Sequence, residues 1–119
     1  MSGLSIDLKR VYLPPSPADG IRILVERLWP RGLAKNKAAI DHWVKDIAPT
    51  PELRKWYGHV PERWDEFQRR YRRELAANTE FVADVQKLCA DNQVTFVFAA
   101  KDEARNSAVV LRGFLNERG

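Results

Sequence analysis

Cys89 is the only cysteine among 119 residues, so no intrachain disulfide can form, and such a chain suits a reducing compartment. The two histidines, His42 and His59, are isolated from other ligand-type residues and point to no metal site. No apolar run approaches the ~18 residues of a membrane helix. The start Met1-Ser2-Gly3-Leu4-Ser5-Ile6-Asp7 lacks the basic-then-apolar order of a secretory leader. A cytoplasmic protein without membrane association is therefore expected. Also missing are a Walker loop, a Gly-x-Gly-x-x-Gly run, a Gly-x-Ser-x-Gly elbow, internal repeats and low-complexity tracts. The familiar marks of P-loop hydrolysis, dinucleotide chemistry and serine hydrolysis are thus absent, and no cofactor is implied.

What is present suffices for a core. Hydrophobic residues make up 45% of the chain, including four Trp and five Phe, and no break in composition divides it, so residues 1–119 are expected to form one domain. A net charge of +4 and a pI near 9.5 favour anionic partners without selecting among nucleic acid, nucleotide and metabolite.

The chain is organised around Ile21-Arg22-Ile23-Leu24-Val25-Glu26-Arg27-Leu28-Trp29-Pro30-Arg31-Gly32. Its β-branched first half suits a strand, and Pro30, which cannot donate to a ladder, should stop that strand near Leu28. Glu26, Arg27, Trp29 and Arg31 then lie at its carboxyl end, where open α/β sheets bind ligands.

Residues 5–13 read as an earlier strand, followed by the turn-forming Pro14-Pro15-Ser16-Pro17-Ala18-Asp19-Gly20. So short a link favours antiparallel or splayed pairing of the first two strands. Residues 33–36 read as loop and 38–47 as irregular. Thr50-Pro51-Glu52 starts a helix that stops at Gly58. A longer helix from Pro61 to Ala77 carries the stripe Trp64, Phe67, Tyr71, Leu75, and another, ending at Asp91-Asn92, carries Phe81, Val82, Val85, Leu88 and Cys89. Residues 94–100 form the strand best suited to the sheet centre. Asp102 would cap a last helix that packs through Ala104, Ala108, Leu111 and Leu115. The expected fold class is α/β: a small, three-layer-like domain whose short, mostly parallel or mixed sheet is flanked by helices.

If strands two and four are parallel neighbours, their carboxyl ends form a pocket. Arg27, Arg31 and Lys101 would hold an anion there, Trp29 would stack on a planar ring, and Asn106 would present an amide. Each has a plain alternative: Arg27 could pair with Glu26, Asp102 or Glu103, and Trp29 could plug the core. Glu26 is the one candidate for acid–base chemistry, although a carboxylate so placed is more commonly an arginine's partner. Cys89, on an apolar helical stripe, reads as a buried structural thiol. The run Arg69-Arg70-Tyr71-Arg72-Arg73 could meet nucleic acid, but Asp65, Glu66 and Glu74 stand at helical spacing and make a solvated face the simpler reading. The expectation is a binding protein, or a poorly defined enzyme, for a small anionic, nucleotide- or nucleobase-like ligand. The alternatives are a nucleic-acid accessory protein and a protein-interaction module.

Lys9-Arg10-Val11-Tyr12, the run from Asp19 to Gly32, Trp43, Ala48-Pro49-Thr50, Glu52-Leu53-Arg54 and Ala100-Lys101-Asp102 with Asn106, Ala108 and Leu111 resemble the YeaO-like short bacterial proteins of the domain of unknown function four-eight-eight family. The resemblance implies a compact α/β fold and no established biochemistry. Longer relatives carry a cysteine-containing strand end and a Cys-His-Arg at the start of the last helix, which looks catalytic. Here those places hold Ala99-Ala100-Lys101 and Asn106-Ser107-Ala108. The resemblance therefore implies a retained pocket without that reaction.

Overall fold

The computed structural model describes residues 4–118; Met1 to Gly3, part of the stretch read for a leader, lie outside them. The elements are β1 (Ile6–Arg10), β2 (Ile21–Leu24), α1 (Lys35–Ala38), β3 (His42–Trp43), α2 (Pro51–Tyr57), α3 (Trp64–Ala77), α4 (Thr79–Asp91), β4 (Val94–Phe98) and α5 (Ser107–Arg118). The sheet order is β1-β4-β2-β3, and every pairing is parallel. Val94 of β4 faces Ile6 on one side and Ile21 on the other, so the three strands start at the same level. All five residues of β4 are buried, as suits a central strand that is apolar but for Thr95.

Antiparallel or splayed pairing of β1 and β2 is not what occurs, because β4 lies between them. The physical reason is reach. The link must return along a five-residue strand, about 16 Å, and cross two strand spacings, about 10 Å. The ten residues 11–20 are long enough to cover that distance without the usual crossover helix. The prolines keep the link open. Ser16 then caps a single 3-10 turn, accepting from the Ala18 N–H while Asp19 accepts from the Ser16 N–H. Gly20 is required where the link meets the sheet: its φ is +64°, and a Cβ there would lie 2.2 Å from the Gln93 carbonyl oxygen, which accepts the Ile21 N–H.

Side-chain alternation sends Ile23, Val94, Phe96 and Phe98 to one face of the sheet. There they pack with Phe67, Tyr71 and Leu75 of α3, Val82, Val85 and Cys89 of α4, and Ala108, Leu111 and Leu115 of α5. Each large apolar side chain fully buried in this way contributes about 2–3 kcal/mol. Leu24, Val97 and Val11 face the other way, against Trp29, Leu33, Ile40 and Trp43. That second face is covered by the irregular segment containing the one-turn α1 instead of by long helices. Beside it lies a buried polar network in which Asp19 bonds Arg22 at 2.7 Å and Lys9 at 3.1 Å. Arg22 also donates to the Ala38 carbonyl, and the Thr95 hydroxyl to the Asp19 carbonyl.

Candidate functional site

Strand β2 stops earlier than Leu28. Val25 makes a last ladder-like bond to the Val97 carbonyl, and the chain then turns. Two contacts hold the turn: the Trp43 indole N–H donates to the Glu26 carbonyl at 2.7 Å, and the Ala99 N–H donates to Glu26 Oε2 at 3.1 Å. The second clips the end of β2 to the end of β4. Glu26 forms no ion pair, and Oε1 has no hydrogen-bond partner among the described residues. The arginine partner that sequence reasoning offered it is therefore missing.

Glu26 lines a cavity of about 400 Å³ with Arg54, Lys55, Tyr57 and His59 from α2 and its end, Phe67 from α3, Ala99 and Ala100 after β4, and Asn106 and Ser107 at the start of α5. The volume is that of a small-molecule site. Helix α2 is built as expected: Thr50 accepts from the Leu53 N–H, Pro51 occupies the first turn, and Gly58 closes it in the left-handed region. His59 follows with φ +57°, an uncommon conformation for a residue with a side chain, and lies at the cavity rim. Asn106, not Asp102, caps α5. Its Oδ1 accepts the Val109 N–H while its Nδ2 donates to the Asp102 carbonyl. Asp102 is spent four residues earlier, accepting from the Ala104 and Arg105 N–H groups in a local turn. This turn delays the helix and leaves Ala104 exposed.

Burial pushes the Glu26 carboxyl above the ordinary range, and the Ala99 N–H, Arg54 and His59 offset this only in part. Proton binding therefore favours the folded state. The associated stability is complete below the ordinary Glu value and is lost as pH rises through the raised one. Glu26→Gln, which keeps an acceptor for Ala99, should be more stable than the parent by about 1 kcal/mol at pH 8, with the difference shrinking towards pH 4. Urea unfolding at the two pH values checks this; equal stabilities at pH 8 would mean that the carboxylate is well solvated.

The other expected site residues are not in this cavity. Arg27 lines a separate cavity of about 360 Å³ together with Asp46, Thr50, Tyr71 and Glu74. Its Nη2 holds the Ala48 carbonyl at 2.9 Å, Nη1 lies 3.5 Å from Asp46, and Nε is buried without a partner. Trp29 donates to the Leu33 carbonyl and packs edge-on against Trp43, with ring centroids 5.4 Å apart, so it closes the second face of the sheet. Arg31 and Lys101 are exposed, and the Arg31 carbonyl accepts from Tyr12. Only Glu26 and Asn106 of the expected set meet. The cations of the cavity are instead Arg54 and Lys55. Sequence reasoning missed them because nothing local places α2 over the sheet end; the available signals were a basic pair in the last turn before Gly58 and the place of Arg54 in the family-like run Glu52-Leu53-Arg54.

Among the arginines of α3, Arg69 and Arg70 bond Glu66 at 2.7 and 2.8 Å, and Arg72 bonds Glu117 at 2.9 Å. Arg70 also covers the Trp56 ring, 4.3 Å from its centroid. Much of this charge is compensated locally, as on a solvated helix face. Cys89 is buried and its thiol is pushed up to about 12, the structural role expected of it. Among the described residues no group of three or more His, Cys, Asp or Glu could hold a metal, and no helix is long and apolar enough to cross a membrane.

A family model described as "Inactive DUF488-N3 subclade" matches residues 5–119. The chain is similar to the uncharacterised protein Rv3073c of Mycobacterium tuberculosis, with 44% identity over 113 residues covering 95% of each chain. It is also similar to the uncharacterised protein YeaO of Escherichia coli K12, with 39% identity over 113 residues covering 94% of this chain and 97% of the other. No solved structure matches it significantly.

Proposed function

Because the chain belongs to the DUF488 family, in a subclade described as inactive, we propose that it binds a small anionic, nucleotide- or nucleobase-like molecule in the cavity at the ends of β2 and β4 and does not transform it. The observation that carries this reading is Glu26. A half-buried carboxylate with no ion pair among the described residues, pushed up by burial and with one oxygen free at a cavity, is placed for a ligand to use. Arg54 and Lys55 stand exposed at the same cavity and supply the complement to an anion, while Tyr57 and Phe67 supply an aromatic wall. The subclade's description as inactive supports binding without turnover. Ala99, Ala100 and Asn106 bring no nucleophile, and no base is hydrogen-bonded to the Ser107 hydroxyl among the described residues.

A thermal-shift screen against nucleotides, nucleosides, bases, phosphorylated metabolites and short DNA and RNA, at low and moderate salt, tests the reading. Ligand at about 100 times its Kd adds about 2.7 kcal/mol, a shift of several degrees for a domain of this size. A small-molecule hit that persists at moderate salt is the expected result. Shifts with polynucleotides alone, lost as salt rises, would transfer the function to the α3 arginines.

A further inference from the structure

Resting on the cavity reading above, we infer that the ligand carries a guanine-type edge, a ring N–H beside an exocyclic amino group, which Glu26 accepts, and an anionic group, which Arg54 and Lys55 of the same cavity hold. The cavity carries charges of both signs. Glu26 is its carboxylate, and Oε1 is the oxygen left without a protein partner while Oε2 takes the Ala99 N–H. A carboxylate oxygen has two acceptor positions, so Oε2 can still join Oε1 in a two-point contact. A plain anion in this cavity would meet Glu26. A cation would meet Arg54 and Lys55. A neutral pair of N–H donors on a planar ring, with a phosphate beyond it, conflicts with neither.

Among nucleobases this selects sharply. Guanine presents N1–H and the 2-amino group side by side, both donors to one carboxylate. Hypoxanthine keeps the first and lacks the second. Adenine presents a ring nitrogen lone pair at that position, acceptor against acceptor. A site that accepts from a pair of donors discriminates against a ring that sets an acceptor against its carboxylate.

The test is calorimetric titration of the purified protein with GMP, IMP and AMP at one salt concentration and pH 8, with the Ala99 amide resonance as a second readout, since that N–H bonds Glu26 directly. GMP should bind tightest, IMP about 10-fold weaker and AMP about 100-fold weaker, and GMP should shift the Ala99 amide. In Glu26→Gln the ratio of GMP to AMP affinity should fall to within about threefold, because the amide offers both a donor and an acceptor. Equal binding of GMP and AMP to the parent, or an unchanged ratio in Glu26→Gln, would overturn the guanine edge and leave the cavity reading standing. No binding of any of the three at millimolar concentration, with other anions shifting the melting point, would overturn the edge alone. Silence from the whole screen would overturn both.

Discussion

Asp19→Ala should lose about 3–5 kcal/mol of stability, a large part of what a domain of this size possesses. Asp19 is buried and serves three donors: Arg22 at 2.7 Å, Lys9 at 3.1 Å and the Ser16 N–H at 3.0 Å. Removing it leaves the buried Arg22 guanidinium with carbonyl partners only and opens the turn that returns the chain from β1 to β2. The melting temperature should fall by at least about 10 °C. The pH dependence is informative as well. Burial alone would raise the Asp19 carboxyl, but the Ser16 N–H, Arg22 and Lys9 outweigh it and hold it below the ordinary range. Its contribution is therefore present above the ordinary Asp value and is lost as pH falls through the depressed one. Urea melts at pH 7 and pH 3 should show the parent losing stability between them, with the variant losing less. A deficit under about 1 kcal/mol at pH 7 would show that the network is peripheral to the fold.

Arg54→Ala should lower affinity for the small anion about 10- to 100-fold while moving the melting temperature of the free protein by no more than about 2 °C. Arg54 is exposed and lines the cavity, and among the described residues its guanidinium makes no ion pair. Arg27→Ala should do the reverse. Arg27 ties the end of β2 to the Ala48 carbonyl, so its loss should destabilise the protein and leave the intrinsic affinity of the folded state close to the parent's. Melting curves and titrations of the two variants side by side separate the roles. If Arg27→Ala loses affinity and Arg54→Ala does not, the anion lies in the neighbouring cavity.

The exchange of Arg27 for Arg54 shows what could be read in the chain. From β2 outwards, the order of residues makes Glu26 and Arg27 equal candidates at a strand end. Which side each takes depends on the turn held by Trp43 and Ala99, which are distant in sequence. Along the chain alone, Trp29 is open to two readings for the same reason. Its partners Trp43, Leu24 and Val97 come from three separate elements, and only their convergence makes it a cover for the sheet.

The sequence by itself determined what local chemistry decides. The cap and stop of α2 at Thr50 and Gly58, the apolar stripe of α3, the central place of β4 and the structural fate of Cys89 all follow from spacing, propensity and polarity within a few residues. The tertiary structure alone decided the insertion of β4 between β1 and β2, the buried Lys9-Asp19-Arg22 network, the delayed start of α5 and the gathering of Arg54, Lys55, His59 and Phe67 around Glu26. Strand order and pocket composition depend on contacts between segments tens of residues apart, and such contacts are set by the global packing of apolar faces, which leaves no periodic trace in the chain.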